Sequence, residues 1–162
     1  MKVIGIDPGT ASCGYGIVHE SGGRLKATDH GWWRTPAGQA PEQRLKTICD
    51  AVAELIELHA PAAVALEESF VGADARTALS VGQARGAVMV AAANAGVACA
   101  EYSVTRVKQT VCGYGRAEKQ QVQKMVKAIL GLQSEPATTH AADALAVAIC
   151  HALTPPLLKV AG

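Results

Sequence analysis

The apolar rhythm of this chain changes from strand-like to alternating strand and helix after residue 34, and that change narrows the possible folds more than any other feature. Residues 2–7 (Lys-Val-Ile-Gly-Ile-Asp) are a short apolar run that ends in an acid, followed by Pro8-Gly9, which is turn chemistry. Residues 14–19 and 24–34 read as two further strands, and Gly22-Gly23 between them marks a hairpin. From Pro41 the spacing becomes helical, with Leu45, Ile48, Val52, Leu55, Ile56 and His59 recurring at i+3 and i+4. Residues 62–67 then predict a buried strand ending in acids, 75–94 a helix and 97–101 a strand. Three helices follow, over 105–112, 118–130 and an Ala-rich 138–153 stopped by Pro155-Pro156. Three leading strands followed by alternating strands and helices predict an α/β fold: a mixed five-stranded sheet with helices on both faces.

A chain of 162 residues fits one domain, here 1–162 with a core of about 2–153 and a short C-terminal tail, 154–162. A domain of this size buries about 70% of its unfolded surface and needs no metal or disulfide to fold. Apolar residues at 49% with charged residues at 18% exclude a disordered chain. The five cysteines (Cys13, Cys49, Cys99, Cys112, Cys150) are odd in number and contain no C-x-x-C pair, so reduced thiols are expected rather than a disulfide framework or zinc knuckle. The N-terminus lacks the pattern of a signal peptide. The longest apolar run, Val88–Ala100, is interrupted by Asn94 and Gly96. A soluble, cytoplasmic protein with no membrane partner is the expectation.

The formal net charge of +1 hides an asymmetry. Residues 1–68 carry nine acids and six bases, whereas residues 106–127 carry six bases (Arg106, Lys108, Arg116, Lys119, Lys124, Lys127) and one acid, Glu118. A basic stretch in a neutral chain points to a polyanion footprint on one face, and a solvated helix face is the other reading.

The acids of interest sit at the ends of elements. Asp7 closes the first strand and Glu67 the fourth, and His140 and Asp143 share one face of the last helix at i, i+3. In open α/β sheets ligands gather at strand ends where neighbouring connections diverge. Carboxylates brought together there stay ionised only around a cation, and hard oxygen ligands with open positions suit Mg²⁺ or Mn²⁺. Each acid also has a structural reading as a turn or capping residue. Asp143 is the hardest to explain that way, because an unpaired acid within Ala-Ala-Asp-Ala-Leu-Ala would be costly to bury.

Six ordered motifs resemble the RuvC family of bacterial Holliday-junction resolvases over nearly the whole chain. They are Ile4-Gly-Ile-Asp-Pro-Gly-Thr10 with Gly14-Tyr-Gly16, Ala65-Leu-Glu-Glu-Ser-Phe70, Gly82-Gln-Ala-Arg-Gly86, Val107-Lys-Gln-Thr110, Gly113-Tyr-Gly-Arg-Ala-Glu-Lys119 and His140-Ala-Ala-Asp-Ala-Leu-Ala146. The resemblance implies an RNase H-like fold, a homodimer, cleavage of four-way junction DNA with Mg²⁺ or Mn²⁺ (two ions per site), and cooperation with the branch-migration proteins RuvA and RuvB. It carries the family's catalytic and metal-binding set onto Asp7, Glu67, His140 and Asp143. It makes Lys108 and Lys119 phosphate contacts, Phe70 a base-stacking residue, and Arg76 and Arg85 backbone contacts. His140 stands where some members have Asp, which removes one negative charge and adds a softer donor that favours Mn²⁺. It could also act as a base. Gly82 and Gly86 form a small-residue face, either inside the core or across a dimer. Trp32 and Trp33 read as strand packing rather than DNA contacts.

Three other readings compete. Asp-Pro-Gly-Thr also fits the phosphate loop of actin-like and sugar-kinase ATPases, but those need a second duplicated domain. A non-catalytic junction-binding module would bind branched DNA without nicking it. An RNA-processing nuclease on the same fold would differ in its substrate.

Overall fold

The computed structural model describes residues 1–36, 38–68 and 74–154. The strands are β1 (Lys2–Asp7), β2 (Ser12–Ser21), β3 (Arg24–Arg34), β4 (Ala63–Glu67) and β5 (Ala98–Tyr102). The helices are α1 (Pro41–His59), α2 (Ala75–Asn94), α3 (Val104–Cys112), α4 (Lys119–Leu130) and α5 (Thr139–Leu153). Every predicted element is present. β2 extends two residues beyond the predicted run at each end, because Ser12, Cys13, Glu20 and Ser21 complete its ladder with β3.

The five strands lie in the order β3-β2-β1-β4-β5. β2 is antiparallel to both of its neighbours, while β4 runs parallel to β1 and to β5. The chain leaves β1 towards β2 on one side and leaves β4 towards β5 on the other. The gap between the ends of β1 and β4 is therefore a topological switch point, where side chains can converge without a connection crossing above them.

The strand period of two divides the apolar residues between two cores. Ile4, Ile6, Ile17, Val64 and Leu66 face α1 and α2, where they meet Ile48, Val52, Ala84 and Val88. Val3, Val18 and Ala65 face α5, α3 and α4, where they meet Leu145, Ile149, Val107 and Val126. The same parity turns Asp7, two residues beyond Gly5, and Glu67, two beyond Ala65, towards α5.

α5 is buried over most of its length, which explains its almost unbroken apolar sequence. Thr138 caps it, its hydroxyl accepting from the Ala141 N–H at 3.2 Å. Three glycines let this helix lie directly on the strand backbones. A Cβ on Gly5 would stand 2.0 Å from the Ala144 carbonyl oxygen, one on Gly14 2.2 Å from that of His140, and one on Gly16 2.6 Å from Leu145 Cγ. No helix among the described residues is long and apolar enough to cross a membrane.

Gly5→Ala is expected to destabilise the protein by about 1–3 kcal/mol or more, because the added methyl meets helix backbone that cannot rotate away. Adding Ala148→Gly should not restore stability, since the nearer clash is with the Ala144 carbonyl. Thermal melts of the single and double variants check this, and full rescue by the second substitution would contradict it.

Candidate active site

The β1–β4 register pairs Ile6 with Leu66, so the next step along both strands sets Asp7 opposite Glu67 at the strand ends. Asp7 pairs with Gly14 on its other side, and the missing side chain of Gly14 makes room for the first turn of α5. His140 and Asp143, one turn apart, thereby descend on the same carboxylates. His140 Nδ1 lies 2.6 Å from Asp7 Oδ2, and Asp143 Oδ2 accepts from Lys119 Nζ at 2.7 Å. The four residues singled out in the sequence thus form one cluster, although Asp7 and His140 lie 133 positions apart in the chain.

Lys119 is the first residue of α4, and Lys108 reaches the same place from α3. Glu67, Asp143, Lys108 and Lys119 line a pocket of about 210 Å³ with Val107 and Val122 among its apolar wall. Two cations and two carboxylates thus share the wall of one pocket.

The electrostatics are unbalanced towards negative charge. Burial, then the neighbouring charges of Asp7 and Asp143, pushes the Glu67 carboxyl up to about 7, against the weaker pull of Lys119 and Lys108. The Asp7 carboxyl is also raised, first by burial and further by Asp143, although its hydrogen bond with His140 works the other way. Burial disfavours the Lys119 ammonium, but the bond to Asp143 and the charges of Asp143, Asp7 and Glu67 outweigh it and hold the proton more tightly. Three acids compete here for one directly bonded lysine.

Among the described residues, no three His, Cys, Asp or Glu side chains already converge as a ligand set. Asp7 is bonded to His140 and Asp143 to Lys119. The donor chemistry nonetheless fits a hard divalent cation: three carboxylates and an imidazole, with two of the carboxyl groups raised by burial and then by neighbouring acids.

The other predicted contact residues fall elsewhere. Arg85 on α2 pairs with Glu101 on β5, with its side chain mostly covered. Arg76 is exposed in the first turn of α2, where its backbone N–H donates to the capping carboxylate of Asp74 at 3.1 Å. Phe70 lies outside the described residues. Gly82 and Gly86 are exposed on α2, and a Cβ on either would meet nothing within 4 Å, so the core alternative for this small-residue face is ruled out.

The architecture agrees with comparisons to known proteins. The family model "Crossover junction endodeoxyribonuclease RuvC" matches residues 3–151. The chain belongs to the RuvC family. The crossover junction endodeoxyribonuclease RuvC of Moorella thermoacetica is 51% identical over 152 residues, spanning 94% of this chain and 91% of the relative. The RuvC structure of Thermus thermophilus superposes with a TM-score of 0.89 at 37% identity, covering 98% of both chains. The T. thermophilus RuvC in complex with a Holliday junction substrate gives a TM-score of 0.90 at 40% identity, covering 94% of this chain and 93% of that one. The RNase H-like fold expected from the motifs is thereby established for this RuvC-family chain.

The raised carboxyl of Glu67 predicts a pH dependence of the metal-free protein. Below its ordinary value of 4.5 the group is protonated in both the folded and the unfolded chain. Between about 4.5 and about 7 the folded state keeps a proton that the unfolded chain has lost, so stability falls as pH rises and levels off above that range. Melting temperatures in EDTA should decline across this window, and Glu67→Gln should flatten the decline. Saturating Mg²⁺ or Mn²⁺ should raise the melting temperature more at pH 8 than at pH 5, and equal shifts at both would contradict the assignment.

Proposed function

We infer that this RuvC-family chain is a structure-selective endonuclease that resolves Holliday junctions during recombination and repair by paired, symmetric phosphodiester hydrolysis. The observation that carries this reading is the cross-strand pair Asp7 and Glu67 at the switch point, roofed by His140 and Asp143 and flanked by Lys108 and Lys119. Water attacks a junction phosphorus in line as the bond to O3′ breaks, and the departing oxygen takes a proton. The products are a 5′-phosphate and a 3′-hydroxyl.

Asp7, Glu67, His140 and Asp143 would hold Mg²⁺ or Mn²⁺, two ions per site on this reading, with Asp7 at the end of an interior strand as the central ligand. Such ions, when bound, activate water and stabilise the leaving oxygen. Glu67 would help hold an ion that activates water, and His140 and Asp143 would help hold one that stabilises the leaving oxygen. His140, a nitrogen donor among oxygens, favours Mn²⁺ over Mg²⁺, and its alternative role is to take the proton of the attacking water. Lys108 and Lys119 hold phosphate oxygens, which sets affinity and salt dependence rather than sequence preference. Arg76, in the exposed first turn of α2, and Phe70 are assigned to junction contact, Phe70 by base stacking.

Two matched nicks require two sites, and a two-fold dimer presents them to a substrate of similar symmetry. The α2 face supports self-association: Leu79 is 66% exposed, Met89 43% and Val90 53%, beside the open Gly82 and Gly86. Apolar exposure of this kind, on a helix whose opposite face is fully packed, marks an interface. RuvA and RuvB are the proposed branch-migration partners, and the cytoplasm the proposed compartment.

On a labelled synthetic four-way junction, the wild type should make paired symmetric nicks with Mg²⁺ or Mn²⁺ and none in EDTA. Asp7→Asn should abolish nicking while binding persists. A linear duplex of the same sequence should stay intact, as should structured RNA. Tight junction binding without nicks under either metal would make the chain a binding module instead. In a separate measurement, Val90→Glu should shift the protein from dimer to monomer by light scattering and turn paired nicks into single ones. An unchanged mass would remove α2 as the dimer face.

A further inference from the structure

The row of residues that carries the carboxylates does not stop at them. Asp7 pairs with Gly14, and Gly14 pairs with Trp32 on the edge strand β3. Residues paired across a sheet share a face, so Trp32 lies on the α5 face, in line with Asp7 and two strand spacings away, roughly 10 Å. Trp32 is 41% exposed. Trp33, its neighbour, turns to the opposite face, where its ring stacks on Tyr15 with centroids 4.9 Å apart and planes at 25°.

This division of labour is set by one irregularity. Val18 pairs with Ala27, but Ile17 pairs with Asp29, leaving Thr28 as an extra residue in β3. A bulge of this kind reverses which side chains point to which face. In an unbulged ladder Trp33 would face the α5 side and Trp32 the α1 side. With the bulge, His30, Trp32 and Arg34 share the α5 face, opposite Gly16, Gly14 and Ser12, and Arg34 is exposed. An exposed indole beside an exposed guanidinium, on the same row as the acids and at a free strand edge, is the composition of a nucleic-acid stacking platform.

We propose that Trp32, supported by Arg34, is a DNA-contact site on the β3 edge: the indole stacks on a base or sugar of the junction strand leaving the acidic cluster, and the guanidinium holds its phosphate. The proposal rests on the junction-nuclease reading and adds a contact that is separate from the lysines of α3 and α4.

The test uses full-length protein and a synthetic four-way junction in EDTA. The chain has two tryptophans, so Trp33→Phe leaves Trp32 as the single indole reporter. Its emission should be quenched on adding junction. Trp32→Ala should weaken junction binding by about five- to a hundred-fold, Trp32→Phe should retain most of it, and melting temperature should hold. Arg34→Gln should lower the slope of log Kd against log salt by about one, which Trp32→Ala should not. Trp32→Ala binding the junction within twofold of wild type would overturn the proposal, whatever the emission does. Nicking by the wild type with Mn²⁺ is scored beside it: no nicks would fail the nuclease reading, whereas normal nicks with an unchanged Kd for Trp32→Ala would fail only this one.

Discussion

The direct contact between the α5 backbone and the strands beneath it governs the rest of this structure. Ordinary side chains at Gly5, Gly14 and Gly16 would hold the helix away from the sheet, since even a methyl would overlap helix backbone at the first two positions. With those side chains missing, the first turn of α5 descends to the level of the strand ends. A histidine and an aspartate separated from Asp7 by most of the chain become its neighbours. The packing is also what buries the acids, and burial is the leading cause of the raised carboxyl groups at Asp7 and Glu67. One packing choice therefore sets both the geometry and the electrostatic character of the cluster.

That character is informative because it is unresolved. A group of acids serving only structure would be expected to carry matching cations or to stand in solvent. Here Lys119 is taken up by Asp143 and His140 by Asp7, and among the described residues the cations that act on Glu67 are the more distant Lys119 and Lys108. The protein spends stability to keep negative charge at the switch point, a cost that a bound divalent cation would offset. Function explains such an arrangement better than folding does.

The element order, the two-sided sheet and the four clustered residues were all legible in the sequence, because each rests on a local signal. Apolar strand runs end at Asp7 and Glu67, helical spacing places His140 and Asp143 together, and turn residues punctuate the joins. What was not legible depended on tertiary contact. Gly5, Gly14 and Gly16 read locally as permissive backbone, whereas their role is to leave room for a helix more than a hundred residues away. The ion pair of Arg85 with Glu101 joins α2 to β5, a pairing that no local spacing announces. The two tryptophans looked alike, and only the extra residue at Thr28 separates a packed Trp33 from an exposed Trp32. Bulges leave little trace in a single sequence, since Thr is an ordinary strand residue.

The position of the cluster within the sheet has a further consequence. Asp7 and Glu67 occupy the third and fourth of the five strand-end positions, with β2 and β3 on one flank and β5 on the other. The β5 flank, together with α2, offers exposed apolar and small residues. The β3 flank offers an aromatic and a cation. Chemistry is thereby confined to rigid central strands, while the two edges differ in what they can recognise. Substitutions at either edge can tune association or affinity without moving a ligand-bearing strand, because β1 and β4 are each held by a neighbour on both sides. The carboxylate row, by contrast, cannot drift alone: any shift of β1 carries Gly5 against Ala144 and moves the roof of the site with its floor.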